Sequence, residues 1–243
     1  MDLTLENLGR KGYKMYQPKE GFRFGTDTVL LSWFTASFVK DQGCPAMLEL
    51  GAGSGAATLL TAARRENVHI DALEIDSGSY EVLEKNISIN GLEGRVSAYR
   101  GDVRSLPDEI RNKQYDLVFM NPPFFKPDTG PSSGKIGRYE QYGDLNDFIK
   151  AGSSRLIPSS GIMTVVMKAS RADEVMNLMT LHGVKPFRFM PVHPFPDKKA
   201  QTVLIAGKKT GAGTNFEIMA PLMLNDEAVM HRIYEEEHKD CFI

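Results

Sequence analysis

Cysteine is nearly missing from this chain of 243 residues: only Cys44 and Cys241 occur, and they form no CxxC pair. That excludes a disulfide framework and a zinc knuckle, so no metal is expected. Long apolar runs are missing too. The longest mainly apolar stretch, Val29 to Val39, is too short to span a bilayer. The opening MDLTLENLGRKGYK lacks the apolar core of a signal peptide. Charge of one sign is absent: the net charge is −2, so no global basic field advertises a nucleic-acid partner, although a local basic patch stays open. There is no internal repeat and no long low-complexity segment. What remains is ordinary for a soluble globular protein, with 42% hydrophobic and 25% charged residues. A cytoplasmic protein with a substantial core is expected, as a monomer or, failing that, a dimer.

From about Ala46 onward, short β-like runs alternate with helix-like stretches, which implies α/β layering on a mostly parallel sheet. The runs AMLEL (46–50), HIDALEI (69–75), RVSAYR (95–100) and YDLVFM (115–120) read as the first four strands. A helix from about Ser79 is stopped by Asn90-Gly91. Another helix over Asp144–Leu156 leads to the strand GIMTVVMK, and Ser170 with Asp173 fits a capping box for the helix after it. VKPFRFMPV and QTVLIAGKK suggest a closing strand pair. These signals divide the chain into an N-terminal extension (1–45), a core (46–209) and a C-terminal tail (210–243) packed on or beside it.

Gly51-Ala52-Gly53-Ser54-Gly55 follows the first strand and opens a helix. Glycines let the backbone turn sharply and let a ligand approach closely, and the helix N-terminus adds partial positive charge. With Ala56 the loop even satisfies a dinucleotide pattern. Glu74 stands at the next strand end, where either cofactor's ribose would be gripped. The loop and Glu74 therefore indicate an adenine nucleoside cofactor without choosing between NAD and S-adenosylmethionine. Asp102, after the third strand, is placed to accept a hydrogen bond from an adenine amino group; taken alone, it reads as an ordinary loop acid.

Asn121-Pro122-Pro123-Phe124 breaks the tie. Two prolines fix φ and remove two backbone donors, and Asn121, before a proline, is pushed to extended geometry. The stiff corner presents the Asn121 side-chain oxygen and the Pro122 carbonyl as acceptors, with Phe124 as a flat apolar face. An amino group on a planar conjugated system fits that set. Its two hydrogens can bond both acceptors, which stabilises positive charge on nitrogen as it attacks a methyl sulfonium. The ring can stack on the planar group. Positioning and preorganised electrostatics carry such a reaction, with no strong base. His193, in PVHPFPD, is therefore not needed as a base, and Met176 and Met179 read as core residues.

These residues together resemble the class I S-adenosylmethionine-dependent methyltransferases of the amino-methylating type. The chain is most similar to the bacterial tRNA adenine-N6 methyltransferases that modify the adenosine beside the valine anticodon. GFRFGTDTVLLSWF (21–34), LELGAGSGAATLLTAAR (48–64), DALEIDSGSYEVLEKNISING (71–91) and YDLVFMNPPFF (115–125) carry the similarity. It implies a Rossmann-like, seven-stranded, mostly parallel sheet with helices on both faces and an antiparallel last strand. It implies that Gly51, Gly53 and Gly55 surround the cofactor's methionine end, Glu74 holds its ribose and Asp102 meets its adenine, with Glu49 also among the cofactor-binding residues. Asn121, Pro122 and Phe124 would receive the target adenine, with Asn121 also beside the cofactor. Thr26 and Asp27 would begin a helix that lids the cofactor; from the residues alone they are N-cap candidates.

The sequence departs from that family at Thr202, where an Arg is usual, and at Gly137-Arg138, where Ala-Arg is usual. A tRNA partner needs phosphate contacts. Lys126, Lys135 and Arg138 border the pocket; Arg10, Lys11, Lys14, Lys19, Arg23, Lys198 and Lys199 are further candidates. Two other readings stay open: the same chemistry on a guanine N2 of ribosomal RNA or a protein glutamine amide, and a module that binds cofactor or RNA without catalysis. A glutamine-directed enzyme would bring a separate N-terminal helical domain, and about 45 residues are too few for one.

Overall fold

The computed structural model describes residues 2–19, 24–123, 143–209 and 215–235. Two strands, β1 (Leu3–Asn7) and β2 (Lys14–Pro18), pair antiparallel as a hairpin. Helix α1 (Thr26–Ala36) follows, and it is buried along its whole length from Thr28 to Ala36. A helix buried on all sides belongs to a core, not to a surface. Helix α1 is therefore packed inside the protein, and Thr28 of its first turn reaches the cleft described below.

The main unit then alternates as the sequence predicts. Its elements are β3 (Ala46–Leu50), α2 (Ala56–Arg64), β4 (His69–Glu74), α3 (Ser77–Ile89), β5 (Val96–Arg100), α4 (Asp108–Arg111), β6 (Leu117–Met120), α5 (Leu145–Arg155), β7 (Ile162–Lys168), α6 (Ala172–Leu181), β8 (Val184–His193) and β9 (Thr202–Lys209). The strand order is β8-β9-β7-β6-β3-β4-β5. Neighbours are parallel except β9, which runs antiparallel to both β7 and β8. This is the seven-stranded sheet with an antiparallel last strand. Two short strands, β10 (Glu217–Ile218) and β11 (Leu222–Met223), pair with β8 and widen its edge. Helix α7 (Glu227–Glu235) packs on α1.

Because side chains alternate along a strand, the sheet divides the core in two. Met47, Leu117 and Phe119 face α1 and α2, whereas Leu48, Leu50, Val118 and Met120 face α5 and α6. All seven are at most 2% exposed. Each fully buried leucine stabilises by about 1.5–3 kcal/mol relative to exposure. The reversal of strand order lies between β3 and β6, which leaves a crevice at the carboxyl ends of those strands.

Local chemistry sets the helix ends. Asp76 caps α3 by accepting from the Ser79 amide at 2.8 Å, so the helix starts two residues before the expected Ser79. Asp144 and Asp147 form a reciprocal capping box on α5. The expected box at Ser170 and Asp173 does not form. Ala169–Arg171 instead makes one 3-10 turn, Arg171 sits at the cap position, and its guanidinium pairs with Glu174 at 2.8 Å. Thr26 and Asp27 are not caps either: Gly25 holds that position, with no side-chain hydrogen bond.

Candidate functional site

The crevice between β3 and β6 opens into a cleft of about 420 Å³, its mouth included. Four expected residues line it: Glu49, Gly51, Gly53 and Asn121. Each arrives there for a local reason. Glu49 points to the α1/α2 side of β3, because it alternates with Leu48 and Leu50. The glycine loop is then pinned to the next strand, where the amides of Gly51 and Ala52 both donate to the Leu73 carbonyl at 2.9 Å. Gly53 has φ +56 and nothing near the place a Cβ would occupy, so a ligand can approach its backbone. Gly55, at φ +91, opens α2, and a Cβ there would lie 2.5 Å from Leu83 Cδ1.

Glu74 stands one hydrogen bond behind the lining. Its carboxylate accepts from the amides of Gly53 (2.7 Å), Ile75 (2.9 Å) and Asp76 (2.8 Å). Burial raises its pKa, and those three bonds oppose the rise. It thus ties the glycine loop to the β4 end. Glu49 is more extreme. Burial pushes its carboxyl up to about 8, against the lowering effect of bonds from the Thr58 hydroxyl and amide. Among the described residues the cleft lining includes Glu49 and no lysine or arginine, and Glu74 stands directly behind it. With its pKa at about 8 the Glu49 carboxyl keeps its proton at neutral pH, so it offers a donor as well as an acceptor beside the loop. The open Gly53 backbone and these two acids fit S-adenosylmethionine, whose amino and ribose hydroxyl groups need hydrogen-bond partners.

Asn121 follows β6 directly, with Pro122 buried behind it. Its Nδ2 donates to Thr28 Oγ1 at 3.3 Å, across from the first turn of α1. That bond sets the amide's direction and assigns Oδ1 the acceptor role. Thr28 is 5% exposed and lines the cleft. Its neighbours Thr26 and Asp27, not Thr28, are the candidates that the resemblance and the N-cap pattern point to. The helical period was the available signal: position 28 is the residue of Thr26-Asp27-Thr28 that turns toward the core.

Asp27 accepts from the Thr202 hydroxyl at 3.0 Å, so the residue in the usual arginine place anchors the start of α1 to β9. Thr26 and Asp27 do not line the cleft. Asp102 is also elsewhere occupied. Arg104 binds both its oxygens, at 3.0 Å and 2.6 Å, and holds its carboxyl below the usual range. Phe124, Lys126, Lys135, Arg138 and Arg23 lie outside the described residues. Arg10 is buried and donates to the Ile233 carbonyl at 3.0 Å, as Arg64 does at 2.7 Å. It caps the C-terminal end of α7 and is no phosphate contact. Lys11 pairs with Glu66 at 2.9 Å, and Lys19 lies 3.6 Å from Asp2. His193 is structural, with Nδ1 donating to the Lys198 carbonyl at 2.7 Å.

The remaining wall was not foreseen at all. Met15 and Gln17 of β2 line the cleft, and two asparagines, Asn86 of α3 and Asn90 at its C-terminal cap, hold β2 there. Asn86 bonds both the amide and the carbonyl of Tyr16, at 2.7 and 2.8 Å. Asn90 does the same for Lys14, at 2.9 and 2.7 Å. One helical turn between asparagines matches two residues along a strand, so the side-chain amides act as the missing neighbouring strand. Asn86 also donates to the Ser54 carbonyl of the glycine loop at 2.9 Å. The only signal was the Asn-x-x-x-Asn spacing, which by itself says nothing about a partner.

Residues 24–180 match the family described as Methyltransferase small domain. A tRNA1(Val) (adenine(37)-N6)-methyltransferase of Pectobacterium carotovorum is 30% identical, over 76% of this chain and 73% of its own. One from Parabacteroides distasonis is 27% identical, over 80% of each. Among solved structures, a predicted O-methyltransferase from Agrobacterium tumefaciens superposes with a TM-score of 0.67 at 19% identity, covering 86% of this chain and 95% of the other. Trm5 of Methanocaldococcus jannaschii, in complex with adenosine, gives 0.62 at 16% identity, covering 86% of this chain and 57% of the other. At those identities the structures speak for the fold alone. The fold, the glycine-loop cleft and the extended family match agree: the chain belongs to the methyltransferase small-domain family and is built on its class I, S-adenosylmethionine-dependent fold.

Proposed function

We propose that the protein methylates the exocyclic N6 amine of an adenine in tRNA, in the anticodon loop of a valine tRNA. The observation that carries this reading is the Asn121 amide, clamped by Thr28 in the lining of the cleft that Glu49 and the glycine loop share. When bound there, S-adenosylmethionine supplies an electrophilic methyl group on its sulfonium. Gly51, Gly53, Gly55 and Glu49 would hold its methionine end and Glu74 its ribose. Asp102 would meet its adenine only by sharing or exchanging the bond with Arg104.

The chain's own contribution is to shape the acceptor. Asn121 Oδ1 accepts one hydrogen of the amine and Pro122 offers its carbonyl to the other. Both bonds strengthen as the nitrogen gains positive charge, so they favour the transition state over the ground state. The proton leaves to water after transfer, and Phe124 stacks on the base. An anticodon-loop adenosine is already single-stranded, which lowers the cost of presenting it. Lys126, Lys135 and Arg138 contact phosphates beside the pocket. Residues 1–45 and 210–243 serve as extensions of the 46–209 core, and the protein acts as a cytoplasmic monomer.

The test uses the purified protein, methyl-labelled S-adenosylmethionine and tRNA transcribed in vitro. After digestion, mass spectrometry identifies the labelled nucleoside. N6-methyladenosine is expected, and Asn121→Ala should lower its formation by about 10²-fold or more while cofactor binding persists. Label in ribosomal RNA or protein but not in tRNA would overturn the substrate and leave the chemistry standing.

A further inference from the structure

The turn between β8 and β9 puts an aromatic ring into solvent. Phe195 is 52% exposed. A lone exposed apolar residue usually carries no message, but this one sits on a built support. Pro191, Pro194 and Pro196 restrict the backbone around it. The Lys198 amide donates to the Phe195 carbonyl at 3.0 Å, and the Gln201 amide donates to the Val192 carbonyl at 3.0 Å. His193 Nδ1 donates to the Lys198 carbonyl from inside the turn, and the Leu224 amide holds the His193 carbonyl at 2.8 Å. The backbone that carries the ring is thus held in place, which lowers the entropy lost on binding. Two exposed lysines, Lys198 and Lys199, follow Phe195 in the same turn. Lys198 lies 3.1 Å from Asp197, with both side chains largely in water. Such a pair is weak enough for a phosphate to displace.

The turn is also on the right side of the molecule. Strands β6, β7 and β8 run in the same direction, so their carboxyl ends share one edge. Along that edge Asn121 follows β6, Lys168 ends β7 opposite Thr202 of β9, and the turn follows β8. Three strand spacings of about 4.8 Å separate β8 from β6, roughly 14 Å across the sheet, and the register sets Val192 level with Lys168, three residues or about 10 Å beyond Met120 along the strands. The resulting span of roughly 17 Å equals about five nucleotides of a stacked strand at roughly 3.4 Å each. Thr202, which ends the turn, bonds Asp27 beside Thr28, so the turn and the Asn121 clamp are anchored to the same helix turn.

We propose that this turn is a second RNA-contact site, in which Phe195 stacks on a base several nucleotides from the target adenosine while Lys198 and Lys199 meet neighbouring phosphates. The inference rests on the RNA-methylation reading above and names a contact outside the methyl-transfer corner. An exposed aromatic on an anchored turn with cations beside it is the combination that binds single-stranded nucleic acid with little sequence preference. A protein partner would use the ring as an apolar anchor instead, and the test separates the two.

Steady-state methylation of an in vitro transcribed valine tRNA is measured for the full chain and for Phe195→Ala, Phe195→Leu and Phe195→Trp. Phe195→Ala should raise the KM for tRNA about five- to a hundredfold, with kcat and the KM for S-adenosylmethionine unchanged. Phe195→Trp should restore binding and Phe195→Leu should not. Lys198→Gln with Lys199→Gln should flatten the slope of log KM against log salt by about 1.4, as expected for two single-strand phosphate contacts. An unmoved KM for tRNA, a Leu variant equal to wild type, or equal rises in both KM values would overturn the inference while leaving the enzyme's function intact. A wild-type protein that methylates no tRNA would overturn the functional reading, and this inference with it.

Discussion

Replacing Asn86 by alanine should damage this protein more than its place on a helix suggests. The side chain is fully buried and makes three hydrogen bonds, to the Tyr16 amide, the Tyr16 carbonyl and the Ser54 carbonyl. At about 0.5–1.5 kcal/mol net per bond, the loss is about 3 kcal/mol. For a chain of this length that lowers the melting midpoint by about 6–12 °C. Asn90 makes the same kind of pair one turn later, but its bonds to Lys14 are exposed, so water replaces them. Asn90→Ala should cost about 1 kcal/mol and about 2–4 °C. Function should follow the same order. Asn86 sets both the β2 wall and the Ser54 carbonyl, so S-adenosylmethionine affinity should drop in Asn86→Ala and stay near wild type in Asn90→Ala. Calorimetric melting and titration on the two variants provide the assay. Equal effects of the two substitutions would refute the view that the buried asparagine fastens the cleft wall.

Two further outcomes follow from the site. Thr28→Val keeps the side-chain shape and removes the acceptor that directs the Asn121 amide; kcat should fall by about 10–100-fold, with cofactor affinity nearly unchanged and Thr28→Ser largely restoring turnover. Glu49, raised to about 8 by burial, holds its proton more tightly folded than unfolded. Its favourable contribution is therefore complete below about pH 4.5 and lost as pH rises toward 8. Urea midpoints across that window should decline in the wild type and flatten in Glu49→Gln. A decline of the same size in the variant would remove Glu49 as the cause.

How far the site could be read in advance depended on whether its parts are local. The glycine loop and Glu74 are legible because each follows a strand end in a fixed βα register, and their spacing survives folding. Asn121 is legible because two prolines stiffen the chain after it whatever surrounds it. Asp102 was placed at the correct edge, but its oxygens went to Arg104, a choice that two adjacent side chains make by geometry. Ser170 and Asp173 have the capping spacing, yet a 3-10 turn and the Arg171–Glu174 pair took over that helix start. Arg10 looked like a surface cation until α7 packed over it and presented a carbonyl.

The amino-acid sequence by itself determined the alternation of strands and helices, the α/β sheet class, the glycine turn and the rigid Asn-Pro-Pro corner. All of these depend on backbone conformations and side-chain periods fixed within a few residues. The tertiary structure alone decided which groups meet across the chain: the Asn121 amide with Thr28, 93 positions away, β2 with Asn86 and Asn90, and Thr202 with Asp27. Those pairings depend on how separate elements dock. Hydrogen bonds between distant residues form only after the core has brought their backbones to within about 3 Å of contact geometry, and no local pattern encodes that distance.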